Sequence, residues 1–321
     1  MQIMINNAEV ETLEGETLLE TARRTGYHIP SLCYIKNVIH KASCMVCVVK
    51  DCATGQMLPS CTTHPMEGMQ IDAESEDVQM IRALSLELLL SDHRADCEAP
   101  CSLVCPQGLD IEQMLHFYDT DRHKEAFALI VASFSLPILE CDNCKAPCEK
   151  VCRRGSVDKA VPIRTIIREL AGMYEPTSTT AKKEEGKSNK EIYQSRLGRF
   201  TTREKEWLKK NTVTPSGCLR CACAGREDCK LRQYATAAGI KRPRYELSSA
   251  LPVMEKIHVT GKMWFEPAKC IRCGLCVYNS KNGFTFKDRG FGMQVVIPDE
   301  NKQNVGEELA ELCPTGALYI N

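Results

Sequence analysis

The sequence predicts an α+β chain of two to three small domains built around cysteine-rich loops. Three observations point there. Twenty of the 321 residues are cysteine, several times ordinary usage. Short alternating stretches at both ends, such as 2–5, 9–13 and 283–287, read as strands. Longer stretches between them, notably 74–91, 111–118 and 122–133, read as helices. Hydrophobic residues make up 43% of the chain and charged residues 26%, enough apolar material to bury real cores.

Taken in order, 2–5 and 9–13 form a hairpin around Asn6-Asn7, and 16–24 is helical. Cys33, Cys44 and Cys47 share one long loop, after which Val46, Val48 and Val49 resume a strand. The 74–91 helix carries acids in its first turn, where the helix dipole favours them. From 93 to 170 cysteine loops alternate with helices. A composition break follows at 175–217, where 182–210 holds ten Lys or Arg against five Asp or Glu. It reads as a solvated linker or as a docking segment for an acidic partner surface. The expected division is 1–73, 74–173, the charged segment 174–217, and 218–321.

Charge and hydropathy exclude several classes. Forty-one Lys and Arg meet 42 Asp and Glu, a formal net charge of −1, whereas a general nucleic-acid binder carries a basic excess. The longest apolar run, 126–132, falls far short of the ~20 residues that span a bilayer. The polar, acidic start does not resemble a secretory leader, so the expected location is the cytoplasm. Reducing cytosol keeps thiols free, which favours metal ligands over disulfides.

Nineteen cysteines fall into five groups: Cys33, Cys44, Cys47 and Cys61; Cys97, Cys101 and Cys105; Cys141, Cys144, Cys148 and Cys152; Cys218, Cys221, Cys223 and Cys229; and Cys270, Cys273, Cys276 and Cys313. Cys52 stands alone and reads as a structural or free thiol. Iron–sulfur clusters take two or three thiolates from a tight loop and close with a distant one. Structural zinc usually takes two separated C-x2-C pairs. Cys270-Ile-Arg-Cys273-Gly-Leu-Cys276, followed by Cys313-Pro314, is the ferredoxin run for a 4Fe–4S cluster with its distal cysteine-proline. A second cluster would need a further cysteine near Ser280, and none is there, so this run reads as one cluster closed by Cys313.

The first group, Cys33-x10-Cys44-x2-Cys47-x13-Cys61, departs from the plant ferredoxin spacing. It resembles the 2Fe–2S domain that opens the complex I large iron–sulfur subunit and its relatives in hydrogenases and formate dehydrogenases. The resemblance continues through Gly68-Met-Gln-Ile-Asp72, Arg82 and 86–97. A lone histidine before a cysteine run is more often a surface or capping residue. Here the resemblance implies that His93, at H-x3-C from Cys97, ligates a 4Fe–4S cluster with three cysteines.

That family continues C-x2-C-x5-C, whereas this chain has Cys97-x3-Cys101-x3-Cys105-Pro106. From Pro100-Cys101 the sequence instead resembles the cluster-bearing N-terminal domain of the glutamate synthase small subunit and dihydropyrimidine dehydrogenase. The carrying residues are Cys105-Pro106, Lys124-Glu-Ala126, Leu136-Pro137, Ala146-Pro-Cys148-Glu-Lys-Val-Cys152 and Val161-Pro-Ile-Arg164. The resemblance implies two 4Fe–4S clusters with interleaved ligands. Two partitions stay open: His93, Cys97, Cys101, Cys105 with Cys141, Cys144, Cys148, Cys152, or the same with Cys105 and Cys152 exchanged. The fourth group ends Cys229-Lys-Leu-Arg-Gln233-Tyr-Ala235, similar to the tail closing a complex I-type cluster; its four cysteines read as one 4Fe–4S site or a zinc knuckle.

Neither G-x-G-x-x-G after a strand nor G-x-x-x-x-G-K-[ST] is present, so no flavin or nicotinamide site is expected on this chain. The resemblances imply a β-grasp 2Fe–2S ferredoxin domain, a helical two-cluster 4Fe–4S domain and a C-terminal ferredoxin-like 4Fe–4S domain. They carry one 2Fe–2S and four 4Fe–4S clusters in an electron-wiring subunit without a substrate site of its own. The implied partners are a flavoprotein diaphorase with its thioredoxin-like 2Fe–2S small subunit, and a hydrogenase, formate dehydrogenase or second flavoprotein; an electron-bifurcating complex is one form this assembly takes. One alternative is an iron–sulfur partner of a glutamate synthase-type flavin and NADPH chain. The other is a zinc-binding scaffold of four-cysteine sites.

Overall fold

The computed structural model describes residues 1–93, 96–134, 137–174, 214–223, 229–240 and 255–321. The charged stretch 175–213 and Leu136 lie outside them. The chain sorts into two compact units, Met1–Ala95 with Ala224–Asn321, and Asp96–Cys223.

In the first unit, β1 (Gln2–Ile5) and β2 (Ala8–Glu11) pair antiparallel. Asn6 and Asn7 join them at φ 49° and 66°, the positive pair that a tight hairpin turn demands and that asparagine tolerates. Helix α1 (Leu18–Arg24) starts on a reciprocal capping box: Thr17 accepts from the Glu20 amide while Glu20 accepts from the Thr17 amide. Strands β3 (Val48–Asp51), β4 (Met57–Pro59) and β5 (Gln70–Asp72) complete a mixed sheet in the order β2-β1-β5-β3-β4. Leu18, Leu19 and Ala22 of α1 pack on Ile3, Ile5, Val49 and Ile71 of the sheet. Each large aliphatic buried this way contributes about 1.5–3 kcal/mol.

Helix α2 (Glu76–Asp92) belongs to this unit. Arg82 donates from Nε and Nη2 to the Val48 carbonyl at 3.0 and 2.7 Å, and Lys50 pairs with Asp77 in the helix's first turn. These ties hold α2 to β3 of the N-terminal sheet.

The second unit is helical: α3 (Pro100–Leu103), α4 (Ile111–Asp119), α5 (His123–Ser133), α6 (Pro137–Asn143), α7 (Pro147–Lys150) and α8 (Ile163–Tyr174). Asp110 caps α4 by accepting from the Gln113 amide at 3.1 Å. Ile111, Met114, Leu115 and Tyr118 recur at helical spacing on α4 and meet Phe127, Ile130 and Val131 of α5. Ile163, Ile166, Ile167 and Leu170 of α8 close that core, with Phe127 stacked on Tyr174 at 5.3 Å.

The rest of the first unit follows Cys229, which precedes α9 (Lys230–Ala237). Strands β6 (Ile257–Thr260), β7 (Met263–Phe265) and β10 (Leu318–Ile320) form an antiparallel sheet in the order β10-β7-β6. Helix α10 (Leu275–Asn279), the hairpin β8 (Thr285–Lys287) with β9 (Gln294–Val296), and α11 (Leu309–Leu312) lie between β7 and β10 in the chain. Phe265, Phe284, Val295, Leu309 and Leu318 form their core.

Candidate iron–sulfur centres

The first four thiols converge in the N-terminal half of the first unit. Cys33, Cys44, Cys47 and Cys61 are each at most 3% exposed, and the Sγ atoms of Cys33 and Cys44 stand 3.4 Å apart. The long loop brings Cys33 and Cys44 together, β3 fixes Cys47 through its start at Val48, and the turn after β4 carries Cys61. Ser60 donates to the Cys47 carbonyl at 2.6 Å, holding the last two side by side. Hydrogen bonding with Cys44, then with Cys61, holds the Cys33 thiol well below its ordinary range. Its bond with Cys61 lowers Cys47 to about 6, while Cys44 and Cys61, hydrogen-bonded to the lowered thiols and buried, are pushed up. Four thiolates this close cannot all ionise without a cation among them, which is the service iron gives.

The C-terminal set surrounds a closed crevice floored by Phe265, Leu275, Val295 and Leu318, with Cys270, Cys273, Cys276 and Cys313 around it. Arg272 sits at φ 55° and donates its amide to Cys270 Sγ at 3.3 Å; Gly274 follows at φ 81°. These turns fold three closely spaced cysteines toward one volume. A Cβ on Gly274 would strike the rings of Tyr278 and Phe286. Beneath the loop, Thr315 donates to the Lys269 carbonyl at 3.1 Å, and Lys269 forms a buried ion pair with Glu266 at 2.8 Å. Burial pushes Cys270 up to about 12 and raises Cys273 and Cys276 well above their usual range.

These two sets are neighbours within the first unit. Cys33, Cys44, Val46, Leu86 of α2, Cys229, Leu231 and Ile271 form one apolar cluster, with Cys273 against it. Ser43 donates to the Cys273 carbonyl at 3.2 Å, and Asn279 exchanges hydrogen bonds with both main-chain groups of Ile39 at 3.2 and 2.8 Å.

In the second unit, Cys105, Cys141, Cys144 and Cys148 line one cavity of about 380 Å³, walled by Leu109, Ile111, Phe134 and Ile167. Ala146, at φ 51° before α7, turns the chain so that Cys148 faces inward beside Cys144. Cys101 and Cys152 instead line a separate crevice between Leu115, Val161 and Ile163, together with Cys218 and Cys221. Burial pushes Cys101, Cys141 and Cys221 up to about 12 and Cys148 and Cys218 to about 11. Such thiols stay protonated near neutral pH unless a bound cation compensates them.

The fourth sequence group divides between the two units. Cys218, Cys221 and Cys223 belong to the helical unit, while Cys229 is buried in the first unit beside Cys33 and Leu231. The division has a local cause. Ser216 donates from its amide and hydroxyl to Asp119 at 2.6 Å each, the Ala222 amide donates to Glu112 at 2.8 Å, and both carboxylates sit on α4. The Lys230 amide donates to the Pro314 carbonyl at 3.2 Å, beside Cys313, which ties Cys229 into the first unit. His93 closes α2 with its amide on the Leu89 carbonyl at 3.1 Å. Cys97 is exposed and follows Asp96, which pairs with Ala222 in an isolated parallel bridge. Cys52 is an exposed turn thiol outside every set. Cysteine spacing alone gave no sign that 218 and 221 fall in a different unit from 229; the repeated C-x-Arg-C of 218–221 and 270–273 was the available signal.

Among the described residues, no three His, Cys, Asp or Glu side chains converge on a single point as one metal ion requires. The thiols of the C-terminal set and of the helical unit line voids, which suits a polynuclear cluster better than one tetrahedral zinc with sulfurs ~2.3 Å from the metal.

Comparison with known proteins agrees with this chemistry. Residues 1–76 match a family described as a 2Fe-2S iron-sulfur cluster binding domain. Residues 91–177 match dihydropyrimidine dehydrogenase domain II, 4Fe-4S cluster, and residues 263–320 a 4Fe-4S single cluster domain. The chain thus carries one 2Fe–2S domain and at least two 4Fe–4S domains. It is 36% identical over 117 residues to the NADP-reducing hydrogenase subunit HndD of Solidesulfovibrio fructosivorans, covering 35% of this chain and 19% of that protein. It is 27% identical over 124 residues to the NADH-ubiquinone oxidoreductase 75 kDa subunit of Reclinomonas americana, covering 38% of this chain and 17% of that protein. The chain therefore matches less than a fifth of the length of these relatives. A crystal structure of an NAD+-reducing NiFe-hydrogenase in the H2-reduced state aligns over 100% of this chain and 87% of its own, with a TM-score of 0.53 and 17% identity, a likeness of fold. The resemblance to iron–sulfur subunits of NADH-linked oxidoreductases and hydrogenases is borne out. Among the described residues no helix is long and apolar enough to cross a membrane.

Proposed function

We propose that the chain is the electron-transfer subunit of a cytoplasmic, multi-subunit NAD(P)H-linked oxidoreductase. It passes single electrons between a flavoprotein diaphorase, accompanied by a thioredoxin-like 2Fe–2S subunit, and a hydrogenase, formate dehydrogenase or second flavoprotein. The observation that carries this reading is the adjacency of two thiol sets in one apolar cluster, where Cys33 and Cys44 pack with Cys273 against it. Neighbouring redox centres in low-dielectric surroundings are what an electron wire needs, and sulfur hydrogen bonds such as Arg272 to Cys270 tune potentials. The bound clusters supply reversible one-electron chemistry; the residues hold them, exclude water and set their spacing.

The twenty candidate ligands, nineteen grouped cysteines and His93, equal the number needed for one 2Fe–2S and four 4Fe–4S clusters. The five-stranded sheet crossed by α1 supports a β-grasp reading of the first 73 residues. The match of 91–177 to dihydropyrimidine dehydrogenase domain II supports a second reading, an iron–sulfur partner for a glutamate synthase-type flavin and NADPH chain.

Anaerobic purification of the native complex tests both. On the isolated chain, iron near ~18 atoms with matching acid-labile sulfide is expected. Co-elution of a diaphorase whose NAD(P)H reduces these clusters supports the first reading, and a flavin–NADPH chain alone supports the second. Zinc in place of iron and sulfide overturns both and leaves a scaffold.

A further inference from the structure

Two of the thiols in the helical unit come from a segment that no family match covers. The matches end at 177 and resume at 263, yet Cys218 and Cys221 line the same crevice as Cys101 and Cys152. We infer that Cys101, Cys152, Cys218 and Cys221 together hold one 4Fe–4S cluster, whose C-x2-C pair is delivered from beyond the charged stretch.

Three independent observations support the assignment. First, the Cys218-Leu-Arg220-Cys221 turn repeats the local geometry of Cys270-Ile-Arg272-Cys273. Arg220 and Arg272 sit at φ 50° and 55°, and each donates its amide to the sulfur two residues earlier, at 3.4 and 3.3 Å. A C-x2-C loop folded this way turns both thiols to one side, with an N–H···S bond already formed to a future ligand.

Second, the segment is fastened to the helical unit on both flanks of the pair. Ser216 is bound to Asp119, Ala222 to Glu112, and Arg154, two residues after Cys152, donates to the Gly217 carbonyl at 2.6 Å. Gly217 has φ 67°, a backbone conformation that favours glycine, and a Cβ there would strike the Arg154 guanidinium. Third, the other four thiols of the unit's large cavity, Cys105, Cys141, Cys144 and Cys148, already make a complete set without Cys101 or Cys152. Those two would otherwise be left with half a ligand shell.

The inference rests on the iron–sulfur reading, and the test separates the two. The full chain is loaded with iron and sulfide, and its reduced-state electron paramagnetic resonance (EPR) signals are resolved by potential. Cys101→Ala/Cys152→Ala and Cys218→Ala/Cys221→Ala are each expected to remove the same signal and about four iron atoms per chain. Cys223→Ala and Cys229→Ala are expected to retain that signal. Where a double variant loses every signal through misfolding, the single variants Cys101→Ser and Cys218→Ser replace it, and both must shift the same resonance. Loss of two different signals, or loss of one signal by Cys218→Ala/Cys221→Ala and by Cys229→Ala alike, overturns the assignment and leaves the electron-transfer reading standing. A wild-type chain with no iron–sulfur signal overturns both.

Discussion

The hydroxyl of Ser43 donates to the carbonyl of Cys273 at 3.2 Å, so the loop that carries Cys44 touches the loop that carries Cys273. Two cluster sites that share a loop contact and an apolar wall are expected to sense each other magnetically. In the fully reduced chain, the signal from the Cys33–Cys61 site should relax faster while the C-terminal site is also reduced. Cys276→Ser, which disables the second site, should slow that relaxation in power-saturation measurements. Identical saturation in both proteins would argue that the sites are too far apart to exchange electrons directly.

Gly217 provides a separate check on the helical unit. Alanine there has to adopt φ 67° and displace the Arg154 guanidinium. Left-handed backbone costs a non-glycine residue roughly 1–2 kcal/mol. Thermal unfolding of the iron-loaded Gly217→Ala protein should shift downward accordingly, with loss of the Arg154 bond adding to it. An unchanged midpoint would mean the segment is not held as described.

Ala146 takes the opposite position: a non-glycine residue already at φ 51°, buried at the lip of the large cavity. Ala146→Gly should be neutral or stabilise by up to about 1 kcal/mol. Ala146→Val adds β-branching where it is least tolerated and narrows the cavity. It should lower cluster occupancy at Cys105, Cys141, Cys144 and Cys148, measured as iron per chain, while the signal of the Cys270–Cys313 site persists.

Iron uptake by the cluster-free chain should depend on pH in a fixed direction. Burial holds Cys101, Cys141 and Cys221 near 12 and Cys148 and Cys218 near 11, so iron must displace protons to bind. Uptake of ferrous ion is therefore favoured as pH rises and weakened as it falls toward 7. Anaerobic uptake compared at pH 7 and 8.5 should show the greater loading at the higher pH; equal loading would show that the thiols are already ionised at pH 7, against the raised values.

Thr17→Ala removes one half of the capping box that starts α1. The expected cost is about 1 kcal/mol. Because α1 covers the sheet beside Cys61, the loss should be seen both in urea unfolding and in faster amide exchange of Leu18 and Leu19, with the C-terminal sheet unaffected.

Much of the local structure was legible because its causes are local. Asn6-Asn7 announces a tight turn, the acids at 76–77 announce a helix start, and the apolar period of 111–118 is a helical face; all three features form. A 4Fe–4S domain at the C-terminal end was legible too, since three of its cysteines lie within one short loop, and residues 263–320 match such a domain. What the sequence concealed was grouping across distance. Cys218 and Cys229 are eleven positions apart, yet they belong to different units, because Asp119, Glu112 and Arg154 capture one segment while the Pro314 carbonyl captures the other. Those anchors are single polar contacts without a periodic signature. The placement of α2 on β3 was hidden for the same reason, since it turns on Arg82 reaching one carbonyl.

The split ligand set also imposes an order on biogenesis. Cys152 and Cys218 are separated by 65 intervening residues, so a nascent chain that has already folded its helices still holds only Cys101 and Cys152 of that site. At the usual pace of synthesis, roughly 5–20 residues per second, the missing pair emerges seconds later. The neighbouring Cys105 site has all its thiols by residue 148 and needs no such wait. Cluster delivery at the split site is thus a late step in maturation, and a chain truncated before residue 218 would fill one site of the helical unit while leaving the other a half-shell of two thiols.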